Sequence, residues 1–172
     1  MKAEVGMDIK LKELNKKDFV QYGEAIFSAD GQKPDSAGEG WECWFPLAQL
    51  TEDSDFSFGI VKSKPELIGT RFMERHLDRD EYVVALDHPV IQIVGLSDAK
   101  REDFPDINQT EAFLVRPGQI VKLKAGIWHA AGIAYGIESC LYLFLLGKPT
   151  KDGKLVDSGL VGFVNNESLI VK

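Results

Sequence analysis

The segment from Thr70 to Leu86, TRFMERHLDRDEYVVAL, carries residue types that bind divalent metal ions. Residues i and i+2 of a strand point to the same face, so an extended segment places Glu74 and His76 together. The letters LDRD that follow are typical of a turn, which puts Glu81 at the start of the next strand, beside the end of the first. One imidazole and two carboxylates form a suitable ligand set for a divalent transition metal. A charged, solvated hairpin is the alternative interpretation of this segment.

A second segment, RPGQIVKLKAGIWHAAG, is typical of a turn, a strand, a glycine turn and then Trp128 and His129. His129 is thus a candidate for the other half of the metal site, in a chain with only three histidines. The remaining one, His88, lies in the turn-like letters LDHPV and is interpreted as a surface residue.

Together the two segments resemble the paired motifs of the cupin superfamily. The first cupin motif usually presents His-x-His and then Glu, where this chain has Glu74-x-His76 followed by Glu81. The second usually reads Pro-x-Gly-x-x-His, and here Lys124 replaces the proline while His129 ends the motif. The resemblance implies that one divalent ion is bound by Glu74, His76, Glu81 and His129. Two imidazoles and two carboxylates suit Mn, Fe, Co or Ni at least as well as Zn.

A narrower resemblance is to the ureidoglycolate lyase family, also called ureidoglycolate hydrolase. The letters DFVQYGEAI resemble its opening Phe-x-x-Tyr-Gly, MERH matches its central Glu-Arg-His, and EAFLVRPGQIVKLKAGIWH matches its Ala-Phe, Gln and Trp-His spacing without a gap. The likeness extends from about Leu14 to Leu146, and the tail after residue 148 is not matched. Residues 77–79 replace the family's Pro-Leu-Gly, Glu81 replaces a Gln and Ala130 replaces a second His. These departures fall on the predicted pocket rim rather than on the frame of the metal site.

This resemblance implies a metal-dependent lyase of purine degradation that converts ureidoglycolate to glyoxylate and urea. The ion would act as a Lewis acid on the hydroxyl and carboxylate oxygens of a small anionic substrate. A general acid must protonate the leaving nitrogen, and Glu81 or a nearby lysine is the candidate. Lys62 and Lys124 are candidate partners of the substrate carboxylate. Two alternatives stay open: a metal-dependent cupin acting on a sugar or sugar acid, and a non-catalytic small-molecule-binding cupin.

The elements that must position these residues are nearly all strands. Short runs rich in β-branched and aromatic residues, such as FSFGIVKS, EYVVAL, PVIQIVGL and CLYLFLLG, are separated by Gly, Pro, Asp, Asn and Ser. One short helix is predicted in ELNKKDFVQYG, with Asn15 as its N-cap. The segments SADGQKPDSAGEG and DAKREDFPDINQ are interpreted as loops. We predict one all-β domain over residues 1–172: a cupin-type antiparallel barrel (double-stranded β-helix) of two facing sheets with a short N-terminal helix.

The charge and composition of the chain limit the kinds of partner that it can bind. The net charge of -7 argues against nucleic acid as the main partner, whereas an anionic small molecule needs only a local cation. No apolar run approaches the ~20 residues of a membrane span, and the first residues lack the apolar core of a signal peptide. We therefore expect a cytoplasmic protein that does not bind membranes. A homodimer paired through an edge strand is the expected assembly.

Overall fold

The computed structural model describes residues 6–27, 33–39, 41–47, 56–64, 69–136, 138–147, 161–162 and 168–172. One helix occurs in these ranges, α1 (Lys16–Phe19). The strands in chain order are β1 (Gly6–Ile9), β2 (Leu11–Glu13), β3 (Gly23–Phe27), β4 (Ser36–Gly38), β5 (Trp41–Cys43), β6 (Phe56–Ser63), β7 (Gly69–Thr70), β8 (Phe72–Met73), β9 (Glu81–Ala85), β10 (Val90–Asp98), β11 (Arg101–Val115), β12 (Gln119–Leu123), β13 (Trp128–His129), β14 (Ile133–Ala134), β15 (Cys140–Gly147), β16 (Val161–Gly162) and β17 (Ser168–Val171). No helix in the described ranges is long and apolar enough to cross a membrane.

Two five-stranded sheets form the body of the fold. Sheet I has the order β3-β12-β9-β15-β6 and is antiparallel throughout. Sheet II has the order β13-β10-β11-β2, with β14 also paired to β10, and its β11–β2 pair is parallel. Three small sheets, β1-β17-β7, β16-β8 and β4-β5, complete the pairing. The predicted all-β architecture of two facing sheets with one short helix is confirmed. Among the described strands, however, no pairing joins sheet I to sheet II, so the sheets face each other without closing into a barrel.

The inner faces of the two sheets pack into one hydrophobic core. Alternation along β9 turns Val83 inward from sheet I, and alternation along β10 turns Val90 and Val94 inward from sheet II. These side chains are at most 2% exposed. Burying an aliphatic side chain of this size stabilises a fold by about 1.5–3 kcal/mol, so the register of each strand is strongly specified. The same alternation fixes which polar side chains enter the space between the sheets.

The short helix closes one end of this core. The Asn15 side chain accepts a hydrogen bond from the backbone N–H of Asp18 at 2.9 Å, which confirms Asn15 as the N-cap. At the other end of α1, the ring of Phe19 contacts Phe113 edge-on, with centroids 5.2 Å apart. A single turn of helix is marginal alone, so this aromatic contact holds it in place.

The prediction of a loop at DAKREDFPDINQ is wrong. Only a tight turn separates β10 from β11, and the two strands pair from Asp98 opposite Arg101 onward. The register shifts near Ser97, which lies opposite Pro105. The proline and the charged residues of this segment led to the loop prediction. A β-bulge nevertheless tolerates proline, because the hydrogen bonding between the two strands is already interrupted there. Of the other predicted loop, residues 28–32 and 40 lie outside the described ranges, and residues 36–38 form β4.

Candidate metal centre

Glu81 lies between the two histidines that the sequence singled out. It is the first residue of β9 and points to the inner face, where its Oε2 is 3.1 Å from His76 Nε2 and 3.0 Å from His129 Nε2. All three side chains are at most 12% exposed. A carboxylate and two imidazoles thus meet in a region largely shielded from solvent, where their electrostatic interactions are strong.

The two sequence motifs are joined at the ligands themselves. Glu74 and His129 form an antiparallel bridge in which each backbone N–H donates to the carbonyl of the other at 2.8 Å. One ligand atom from each of Glu74, His76 and His129 lies within 4.8 Å of the other two. The structure therefore brings together all four residues predicted to bind a metal: Glu74, His76, Glu81 and His129. Their binding of an ion stays a prediction.

The residue between Glu74 and His76 points to the opposite face, as the two-residue period requires. The guanidinium of Arg75 stacks over the Trp128 ring, with its central carbon 4.6 Å from the ring centroid. Its Nη1 donates to Ser97 Oγ at 3.0 Å, and Trp128 Nε1 donates to the same oxygen at 3.1 Å. Trp128 is 1% exposed. This stack supports the site from behind, so the Trp-His pair places one residue in the core and the next in the site.

The ring of His129 is oriented for a ligand at Nε2. Its Nδ1 lies 3.0 Å from the carbonyl oxygen of Ile127, and since a carbonyl only accepts, Nδ1 carries the proton. The buried Nε2 makes no hydrogen bond among the described residues, although Glu81 Oε2 lies 3.0 Å away. A backbone acceptor at one ring nitrogen is the usual second-shell support of a metal-binding histidine. This buried nitrogen, next to carboxylates, fits a divalent ion.

Arg79 contributes to the site in a way that the sequence did not indicate. The family departure at residues 77–79 was assigned to the pocket rim, yet Arg79 is 6% exposed and lies behind His76. Its Nη2 is 3.4 Å from His76 Nδ1, and its Nη1 donates to Asp78 at 2.7 Å. A guanidinium only donates, so His76 Nδ1 accepts.

The charges of the site are mutually dependent. Burial acts to raise the pKa of Glu81, but the neighbouring His129 and His76 outweigh it and lower this pKa to about 2. Burial acts to lower the pKa of His129, but attraction to Glu81 outweighs it and raises this pKa above its ordinary value. Glu81 and His129 thus each favour the charged form of the other. An ion bound to these groups would displace protons, which makes metal affinity depend on pH.

A cavity of about 320 Å³ opens from this site between the two sheets. Its walls combine the four predicted ligands, apolar side chains of sheet I, one glutamine of sheet II and the short segment after His129. The lining residues are Val61, Glu74, His76, Glu81, Val83, Gln92, His129, Ala130, Ala131, Gly132, Tyr142, Phe144 and Leu146. The volume suits a small organic acid.

The structure does not bring the two predicted substrate lysines to this cavity. Lys62 is exposed on β6, because strand alternation turns the preceding residue, Val61, into the cavity instead. Lys124 is exposed, and its Nζ donates to the carbonyl of Val20 at 2.9 Å. No lysine or arginine occurs among the described residues that line the cavity. A lysine as general acid therefore has no support from the geometry.

Two cavity residues escaped the sequence analysis. Gln92 is buried on β10, and Tyr142 is buried on β15, both facing inward. The one signal in the sequence was Gln92 itself, a single amide in the otherwise apolar run VIQIV. A polar side chain buried within such a run needs a hydrogen-bond partner. Neither residue belongs to a motif, so spacing alone could not place it beside His129.

The sequence matches the ureidoglycolate lyase family over residues 6–158. The chain belongs to the ureidoglycolate lyase family. The match covers both metal-site motifs and extends past the resemblance seen in the sequence, which ended near Leu146. Membership indicates an enzyme. None of the curated proteins matches the sequence.

Similar solved structures include an oxalate decarboxylase and a protein named RmlC. The Lactobacillus farciminis oxalate decarboxylase–formate complex has 13% identity and a TM-score of 0.42, over 63% of this chain and 27% of that one. The Bacillus subtilis oxalate decarboxylase, which has Mn(II) centres, has 13% identity and a TM-score of 0.43, over 63% and 24%. RmlC from Streptococcus suis, in complex with dTDP-D-xylose, has 10% identity and a TM-score of 0.39, over 56% and 46%. This chain thus spans about a quarter of those decarboxylase chains and under half of RmlC.

Proposed function

We propose that this protein is a metal-dependent ureidoglycolate lyase that converts ureidoglycolate to glyoxylate and urea. One observation carries the proposal: the segments that define the family converge on a single buried cluster, in which Glu81 Oε2 lies 3.0–3.1 Å from both imidazoles. A charged hairpin on the surface would not place these groups out of solvent. The cavity beside the cluster has the size of a small hydroxy acid.

A divalent ion held by Glu74, His76, Glu81 and His129 would supply Lewis acidity toward the substrate's hydroxyl and carboxylate oxygens. The mixed nitrogen and oxygen set suits Mn, Ni, Fe, Co or Zn. Because neither lysine nor arginine is found among the described residues that line the cavity, this ion would supply the positive charge that draws an anionic substrate to an acidic protein. The buried carboxylates would otherwise repel such a substrate.

Proton transfer is assigned to the acidic cluster. The reaction removes the proton of the substrate hydroxyl and adds one to the leaving urea nitrogen, so one group can hold the proton between the two events. The titratable side chains among the described lining residues are Glu74, His76, Glu81, His129 and Tyr142. Glu81 is the carboxylate in contact with both imidazoles, and we assign it this role.

A coupled assay for glyoxylate tests the function directly. Protein loaded in turn with Mn, Ni, Fe, Co and Zn is expected to release glyoxylate from ureidoglycolate, and protein treated with a chelator is expected to lose this activity. A parallel panel of hydroxy acids, sugars and sugar acids serves as the comparison. Turnover of a sugar without turnover of ureidoglycolate would identify a sugar-specific cupin. Ligand affinity without any turnover would identify a binding protein.

Three further predictions accompany this function. A place in purine degradation follows from the proposed substrate. A homodimer and a cytoplasmic location stay predictions of the sequence, which gel filtration with light scattering and cell fractionation would test.

A further inference from the structure

Gln92 presents an unpaired acceptor at the cavity wall. Its side chain is fixed by two carbonyl oxygens, with Nε2 2.8 Å from Ala130 O and 3.3 Å from Ile93 O. Because carbonyls only accept, the nitrogen of the amide must lie on that side and the oxygen on the other. The buried Oε1 has no hydrogen-bond partner among the described residues. A buried amide oxygen without a donor is unfavourable, so a donor from a bound molecule would satisfy it.

Tyr142 presents the complementary donor. Its hydroxyl oxygen accepts a hydrogen bond from the backbone N–H of Gly132 at 3.0 Å, and the residue is 4% exposed. Burial raises the pKa of Tyr142 to about 12, so the phenol keeps its proton at neutral pH. That proton has no acceptor among the described residues. It is available to an oxygen inside the cavity.

The short segment of residues 130–132 holds both side chains in place. Ala130 binds the Gln92 amide and Gly132 binds the Tyr142 hydroxyl, directly after the predicted ligand His129. A Cβ at Gly132 would lie 2.6 Å from Val90 Cγ1 and 2.8 Å from Tyr142 Cε1, so only glycine lets the tyrosine ring approach this closely. The acceptor and the donor are thus both held by this one segment, beside the cluster of predicted ligands.

We propose that Gln92 and Tyr142 bind the ureido group of the substrate, with Gln92 Oε1 accepting a ureido N–H and the Tyr142 hydroxyl donating to the ureido carbonyl oxygen. The inference rests on the proposed function for its choice of the ureido group. A carboxylate could not replace that group, because two acceptors would face each other at Gln92. The substrate then lies with its hydroxy-acid end at Glu74, His76 and His129 and its neutral end at Gln92 and Tyr142.

The test compares two ligands that differ in the ureido group. N-carbamoylglycine carries the ureido and carboxylate groups but lacks the hydroxyl, so it cannot be cleaved. Glycolate carries the hydroxyl and carboxylate but no ureido group. Calorimetry on metal-loaded protein is expected to show that Gln92→Met and Tyr142→Phe each weaken N-carbamoylglycine binding by about tenfold or more. Each should change the affinity for glycolate by less than about twofold.

Matched controls use exposed residues of the same types. Gln109→Met and Tyr135→Phe lie outside the cavity and should leave both affinities unchanged. Thermal unfolding of every variant reports whether the fold is kept. If Gln92→Met fails to fold, Tyr142→Phe decides the question alone, because it removes only a hydroxyl.

The outcomes separate this inference from the proposed function. If wild-type protein binds N-carbamoylglycine through the two residues yet releases no glyoxylate from ureidoglycolate, the ureido site is supported and the proposed lyase reaction is wrong. If glyoxylate is released, but the variants weaken the binding of both ligands equally or of neither ligand, the ureido site is wrong and the proposed lyase reaction is supported. Failure of the metal-loaded wild type to bind N-carbamoylglycine also overturns the ureido site.

Discussion

The two ends of the cavity are built on different principles. At the acidic end, Glu81 and the two histidines contact one another through groups that gain and lose protons. At the neutral end, Gln92 and Tyr142 are held by the backbone of a single segment. The acidic end therefore depends on pH and on a bound ion, whereas the neutral end has a fixed geometry. A chemical step requires the first kind of site, and recognition of an uncharged group requires the second.

The largest effect should come from breaking the acidic end. His76→Ala removes one imidazole of the cluster, and we expect loss of bound metal together with a fall in activity of more than about a hundredfold. The fold should persist, because the core between the sheets does not include this side chain. Metal analysis, the glyoxylate assay and circular dichroism check the three parts. His88→Ala, on an exposed histidine, is the matched control. Complete unfolding of His76→Ala would show that His76 is a structural residue.

The pH dependence of stability should also set the two ends apart. The folded protein lowers the pKa of Glu81 from 4.5 to about 2. Ionised Glu81 therefore adds on the order of 3 kcal/mol to the free energy of unfolding above pH 4.5, and this contribution is lost as pH falls toward 2. The folded protein raises the pKa of His129 above 6.5. The contribution of protonated His129 to the free energy of unfolding is therefore complete below pH 6.5 and is lost as pH rises through the raised pKa. The charged pair thus stabilises the protein most between about pH 4.5 and 6.5.

Urea unfolding in the presence of a chelator measures this difference. Glu81→Gln should lower the free energy of unfolding most near pH 5–6 and progressively less toward pH 2 and toward alkaline pH. Glu102→Gln, on an exposed glutamate, should show no such profile. A cost of Glu81→Gln that stayed constant across this range would mean that the pair is not ionised in the folded protein.

A smaller effect should follow from disturbing the neutral end. Gly132→Ala places a Cβ against Val90 and Tyr142, and relief of this overlap should cost about 1–3 kcal/mol of stability. The displaced tyrosine should also weaken binding of N-carbamoylglycine, by a factor that does not change between pH 6 and 8. Thermal unfolding and calorimetry provide the two measurements. An unchanged melting temperature would show that the ring moves aside without cost.

The sequence predicted the acidic end far better than the neutral one. Glu74, His76, Glu81 and His129 are spaced by strand periodicity and by a turn, which are local properties of the chain. Gln92 and Tyr142 meet only because β10 and β15 belong to sheets that face each other, and the bonds that fix them go to Ala130 and Gly132. Arg79 was misplaced for the same reason, because burial of an arginine behind His76 depends on tertiary packing. The loop predicted near Pro105 failed because the β-bulge that accommodates it is a property of two strands together.

The smallest effect is expected from the two lysines that the sequence assigned to the substrate. Lys62→Gln and Lys124→Gln should each leave the KM for ureidoglycolate unchanged within about twofold, because exposed charges outside a site act on a bound anion only through screened interactions. Val61, which occupies the inward position next to Lys62, provides the contrast: Val61→Lys would place a cation inside the cavity. Steady-state kinetics at low and high salt measure both effects. A tenfold rise in KM for either glutamine variant would mean that the lysine reaches the cavity when substrate binds, and the anion would then be held by a side chain as well as by the ion.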